Sequence, residues 1–176
     1  SVLVNALAKK FKLKAIHSSD ILKQISSGVS TNKINYKDTA MNQGWYEKSN
    51  LDNKRQDNEE IDIKLDTFLL KIINKEKNII MDSWTMPYLS KRGLKIWLRA
   101  SVRERAKRIS LRNKIKFKEA LKSLKKKDAF SKTHFKKIYG FSLGQDLSVF
   151  DYVINTNKKT MKDVEKEVGE IIKNYK

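Results

Sequence analysis

The chain predicts an α/β protein in which a parallel sheet is covered by helices on both faces. Helical and strand patterns alternate along it, and each strand is a short continuous apolar run, as expected where both faces of a sheet are buried. A further observation places chemistry on that fold. The run Ile79-Ile80-Met81 ends on Asp82, and in parallel sheets ligands bind beyond the carboxyl ends of the strands.

Leu3, Leu7 and Phe11, with Val4 and Ala8 beside them, lie at helical spacing and predict a helix over 2–11. "LKAI" offers a short strand, after which Ser18 or Ser19 is the expected N-cap of a helix ending near Gly28. Residues 29–58 are polar, rich in Asn and Lys, and irregular apart from Trp45 and Tyr46, which predicts a mobile segment or short helices. Ile61, Leu65, Phe68, Leu69, Ile72 and Ile73 mark an amphipathic helix, and strands follow at 78–82 and 94–98. Ser101 with Glu104 reads as a capping box opening a helix to about Arg112. Phe117, Ala120, Leu121 and Leu124 give another helix, "FDYVINT" the final strand, and Thr160 with Asp163 the cap of a last helix.

At 176 residues one domain with a real core is expected. No apolar run approaches the ~20 residues of a membrane span, and the start has no signal-peptide pattern, so a soluble, cytoplasmic protein without a membrane partner is expected. The absence of cysteine excludes disulfides and thiolate metal sites, and His17 and His134 lie far apart in sequence. The net charge of +19 favours polyanionic partners, although 32 of the 39 basic residues are Lys, whereas bidentate phosphate recognition favours Arg. The segment from Arg99 to Lys137 concentrates sixteen Lys or Arg against three acids. Such a surplus either solvates the surface or meets a large anion such as RNA or a ribosome.

Taken alone, Asp82 could cap a turn. The ordered stretches "VLVNALAKKFKLKAIHSSDIL", "LKIWLRASVRERAKRISLR", "KKIYGF" and "DLSVFDYVINT", followed by the capped last helix, resemble the archaeal cytidylate kinases, members of the P-loop nucleoside monophosphate kinases. The resemblance spans nearly the whole chain and is loosest around 30–58. It implies a three-layer αβα parallel sheet with a helical lid, as one kinase-like domain over 1–176. The monophosphate-binding region would cover about 18–76 and the lid about 112–137. It further implies ATP and a nucleoside monophosphate as substrates, with Mg2+.

By the same resemblance, Ser1 ends the phosphate-loop motif and touches the magnesium, which Asp82 holds through water. Ser18, Ser19, Lys23 and Asp62 fall where the acceptor nucleotide is held, Asp62 within "NEEID". Arg108 and Arg112, one helical turn apart, begin the lid and clamp phosphate, with Lys127 further along it. Asn155, Lys158 and Lys159 border the adenine of the donor.

Three departures accompany the match. The 176 residues contain neither the glycine-rich loop nor its Lys, and they open on the helix that follows that loop in the family. An upstream or separate N-terminal segment, or a rebuilt fold, is therefore expected, since a parallel sheet lacking its middle strand leaves backbone groups unpaired. "DSW" stands where the family tends to carry "EGR", so Trp84 replaces a phosphate-binding Arg and could wall a base. Lys127 and His134 stand where lid arginines are expected. Two functions follow: a cytidylate-like kinase, or a catalytically impaired kinase-like scaffold binding RNA or a ribosome through 99–137.

Overall fold

The structure, a computed structural model, describes residues 2–36, 55 and 58–175. They form two compact units, Ser1–Arg92 and Gly93–Lys176. Trp45, Tyr46 and Ser1 lie outside the described residues.

In the first unit, helix α1 (Val2–Phe11) buries Leu3, Val4, Leu7 and Ala8 of the face expected from the helical spacing, while Phe11 at its end is half-buried. Strand β1 (Lys14–His17) leads without a loop into α2 (Ser18–Ser26), and a single 3-10 turn follows at Thr31–Lys33. Helix α3 (Glu60–Lys75) precedes β2 (Ile79–Asp82), and a one-turn helix α4 (Met86–Leu89) places Pro87 in its first turn, where its missing N–H costs no bond. β1 and β2 pair in parallel, with Lys14 opposite Ile79 and His17 opposite Asp82. The core gathers Ile16, Ile21, Leu22, Leu65, Leu69, Ile72 and Met86.

The second unit holds β3 (Ile96–Arg99), α5 (Val102–Asn113), α6 (Phe117–Tyr139), β4 (Tyr152–Asn155) and α7 (Met161–Asn174). β3 and β4 are parallel, with Trp97 opposite Val153 and Arg99 opposite Asn155. Arg105 forks onto Asp128 at 3.0 and 2.6 Å, tying α5 to α6. Trp97 packs on Phe150, and Gly144, at φ 73°, comes so close that an added Cβ would lie 3.2 Å from the indole.

Among the described residues the strands thus form two parallel pairs, β1–β2 and β3–β4. A sheet continues only where strands bond on both edges, and each described strand has a partner on one edge alone. The mixed α/β character holds, and the three-layer sheet is not seen among the described residues.

Two helix starts differ from the sequence reading. Ser18 is the first residue of α2 rather than its cap, and the preceding His17 makes no side-chain cap bond. Asp82 takes that role from the neighbouring strand, because the parallel register brings its carboxylate to the Ser18 N–H at 3.2 Å. At α5, Ser101 Oγ accepts from Glu104 N at 3.2 Å, but Ser101 N–H donates to Asn157 Oδ1 at 2.9 Å instead of completing a box with Glu104. Ser101→Ala should therefore destabilise the protein by about 1 kcal/mol in chemical denaturation.

The capping box of α7 is complete, since Thr160 Oγ1 accepts from Asp163 N and the Asp163 carboxylate accepts from Thr160 N–H at 2.8 Å. The bonds from Thr160 hold the Asp163 carboxyl below the ordinary carboxylate range. A depressed folded-state pKa stabilises above the unfolded value and loses that contribution as pH falls through the folded one. Melting temperature should drop between neutral and acidic pH by less in Asp163→Asn than in the parent.

Candidate active site

β1 and β2 are parallel and in register, so their carboxyl ends fall side by side and present His17 and Asp82 together. The N-terminus of α2 begins at the same point, which adds backbone donors and the positive end of a helix dipole. Ser18 donates from its hydroxyl to the Asp82 carbonyl at 2.6 Å and from its N–H to Asp82 Oδ1 at 3.2 Å. His17, 2 % exposed, sets Nδ1 2.9 Å from Asp82 Oδ2. A carboxylate only accepts, so Nδ1 carries the hydrogen. His17 Nε2 lies 2.8 Å from Oδ1 of Asn5 on α1.

The Asp82 side chain remains 29 % exposed, so a carboxylate braced on its inner side still reaches solvent. Magnesium is held by one or two carboxylates together with water and phosphate oxygens, whereas zinc needs a cage of protein ligands. Among the described residues no group of three or more His, Cys, Asp or Glu is arranged to hold a metal. A lone carboxylate beside serine hydroxyls fits the first pattern and not the second.

The other expected residues of the first unit are distributed as follows. Ser19 occupies the second position of α2, and Lys23 lies 3.9 Å from Asp20 on the same helix. Trp84, two residues beyond Asp82, is 40 % exposed. Asp62 is 1 % exposed, and Arg55, 5 % exposed, donates to it from Nε at 3.0 Å and from Nη2 at 2.8 Å. One turn further on, the buried Asp66 accepts from Thr85 Oγ1 at 2.6 Å. Asp62 is therefore committed to a buried ion pair.

In the second unit Arg108 reaches the segment after β4. It donates to Thr156 Oγ1 at 3.1 Å and to the Thr156 and Lys159 carbonyls, and it pairs with Glu104 at 3.3 Å. Arg112, on the same helix face, is exposed and donates through Nε to Asn113. Asn155 accepts from Asn157 N–H, Lys158 sits at φ 58°, a left-handed conformation costly for a residue with a Cβ, and Lys159 pairs with Glu167. Lys127 is half-buried on α6, while His134 is buried against Phe130 and Phe135 as a core residue.

The structure thus joins His17, Ser18 and Asp82, and it joins Arg108 to the 156–159 segment. Asn5 and His17 were missed as members of the first network and Thr156 of the second, and Arg55 was missed as the partner of Asp62 and Thr85 as that of Asp66. Only the strand register could have paired His17 with Asp82, and that register is not written in either stretch alone.

A model of the cytidylate kinase-like family matches residues 2–158. A cytidylate kinase of Sulfurisphaera tokodaii is 31 % identical over 170 residues, covering 94 % of this chain and 84 % of that protein. A cytidylate kinase of Saccharolobus islandicus is 33 % identical over 140 residues, 78 % of this chain and 72 % of its own. That of Sulfolobus acidocaldarius is 38 % identical over 118 residues, 65 % of this chain and 63 % of its own. In fold, the crystal structure of an uncharacterized protein from Eubacterium ventriosum aligns with a TM-score of 0.65 at 17 % identity, covering 99 % of this chain and 91 % of that one. With the family match running through the strand tip, α5 and the end of β4, the chain belongs to the archaeal cytidylate kinase-like family.

Proposed function

We propose that the protein is a nucleoside monophosphate kinase that transfers the γ-phosphoryl group of ATP to a cytidylate-like acceptor. The observation that carries this reading is the half-buried Asp82 carboxylate, still reaching solvent at the tip of β2 beside the N-terminus of α2, in a chain 31 % identical to a cytidylate kinase over 94 % of its length. In the reaction an acceptor phosphate oxygen attacks the γ-phosphorus as the bond to the β-phosphate bridging oxygen breaks, leaving ADP. The protein's work is positioning and charge stabilisation.

In the first unit, Asp82 would hold Mg2+ through water, and that ion would neutralise phosphate charge when bound. Ser18, Ser19 and Lys23 would hold the acceptor phosphate, with the dipole of α2 favouring the anion. The exposed Trp84 offers an aromatic face to the acceptor base. Asp62, buried with Arg55, would serve the acceptor region by supporting its walls rather than by touching nucleotide. In the second unit, Arg108, Arg112 and Lys127 belong to the lid, and Asn155, Lys158 and Lys159 to the adenine border. Ser1 would complete the metal's surroundings and lies outside the described residues.

The 176 residues hold no glycine-rich loop with its Lys, so the reading requires that loop and its strand from residues beyond these. The RNA reading gains no observation. Among the described residues, several charges of 99–137 are spent within the unit, as Arg105 is on Asp128 and Arg108 on Glu104.

The test is turnover. Full-length protein with ATP and Mg2+ is offered CMP, UMP, AMP and GMP, and ADP release is followed. CMP or a close relative should be phosphorylated, and silence across the panel overturns the reading.

A further inference from the structure

Between α1 and the tip of β2 lies a polar chain that the residues assigned above do not use. Asn5 Oδ1, on α1, lies 2.8 Å from His17 Nε2, and His17 Nδ1–H donates at 2.9 Å to the same carboxylate that caps α2 through Ser18 N–H. The imidazole is 2 % exposed, so it has no free face on solvent. The nitrogens of a ring in the interior must be satisfied, and here a partner for each comes from another element.

We propose that His17 is a positioning residue for the metal-holding carboxylate: braced by Asn5, it fixes Asp82 so that the exposed side of the carboxylate meets the hydrated ion in one orientation. The inference rests on the kinase reading and names a residue that does not itself touch nucleotide or metal. Its physical reason is geometric. An aspartate has two soft side-chain torsions, and a carboxylate held by an N–H on each oxygen loses the rotational freedom that would otherwise be removed only on binding. Hydrogen-bonded partners behind a ligand group characteristically change metal affinity by about 10- to 100-fold when removed.

The experiment uses full-length protein and Mn2+ as the paramagnetic substitute for magnesium, with free Mn2+ followed by electron paramagnetic resonance in the presence of ATP. Four variants are compared with the parent: Asp82→Asn, His17→Phe, Asn5→Ala and His17→Gln, the last keeping an N–H donor. The folded fraction of each is checked by circular dichroism at the temperature of the titration. Asp82→Asn should weaken Mn2+ binding strongly, His17→Phe by about tenfold or more, and His17→Gln should recover part of the loss. Asn5→Ala, which leaves both His17 and Asp82 in place, should give a smaller loss and keeps the test alive if His17→Phe does not fold.

If His17→Phe, or Asn5→Ala where His17→Phe does not fold, binds Mn2+ as the parent does while Asp82→Asn does not, His17 is only a core residue and the proposal falls while the kinase reading stands. If Asp82→Asn also binds as the parent does, the metal role of Asp82 falls and His17 with it. Loss of melting temperature alone, with Mn2+ affinity unchanged, likewise overturns the proposal.

Discussion

Asp62→Ala is expected to destabilise the protein by about 3–5 kcal/mol, read as a fall in the midpoint of urea unfolding at an unchanged slope. The reason is what remains behind. Arg55 and Asp62 are both buried and face each other through a fork of hydrogen bonds, so removing the carboxylate takes that fork away from a guanidinium held out of water. Breaking the pair from one side costs more than the pair itself contributes, because desolvation opposed the pair from the start. Replacing both residues together, Arg55→Met with Asp62→Leu, should recover much of the loss, since apolar groups of similar volume carry no such penalty. A double variant as unstable as Asp62→Ala would show that the pair acts through something other than burial.

Arg112→Ala has the opposite profile. Its side chain is exposed on α5 and its bond through Nε is to the adjacent Asn113, so stability should change by no more than about 0.5 kcal/mol. If the proposed lid role holds, turnover should fall by about 10³-fold or more, the scale on which an arginine stabilises the charge of phosphoryl transfer. Arg112→Lys should recover only a fraction, because an ammonium cannot fork onto two phosphate oxygens. The comparison with Arg108 sharpens this. Arg108 is bonded to the Thr156 side chain and to carbonyls of the 156–159 segment, so Arg108→Ala should lower both stability and activity, whereas Arg112→Ala lowers activity alone. Equal activity of Arg112→Ala and parent would remove Arg112 from the transfer step.

Much of the local structure was legible because it depends on neighbours in sequence. The face of α1, the amphipathic run of α3, the Thr160–Asp163 box and the four short apolar strands all follow from side-chain period and capping chemistry over a few residues. The turn at Met86–Leu89 was not, because four residues are too few for a period to show. Asp82 stood out as an acid after an apolar run, and Arg108 and Arg112 as a pair one turn apart. Their partners did not.

By its own patterning, then, this chain determined which of its longer stretches are helix and which are strand, that the strands pair in parallel, and to which family its ordered stretches belong; the expected burial of every strand on both faces is not met, since Leu98, Tyr152 and Val153 are exposed. How the acids and cations are used emerges with the folded molecule: Asp82 as the cap of α2 and a partner of His17, Asp62 as half of a buried ion pair, Arg108 as the brace of the 156–159 segment. Those contacts join residues 7 to 65 positions apart. They arise from strand register and helix packing, which depend on the whole chain, and propensity and spacing act over only a few residues.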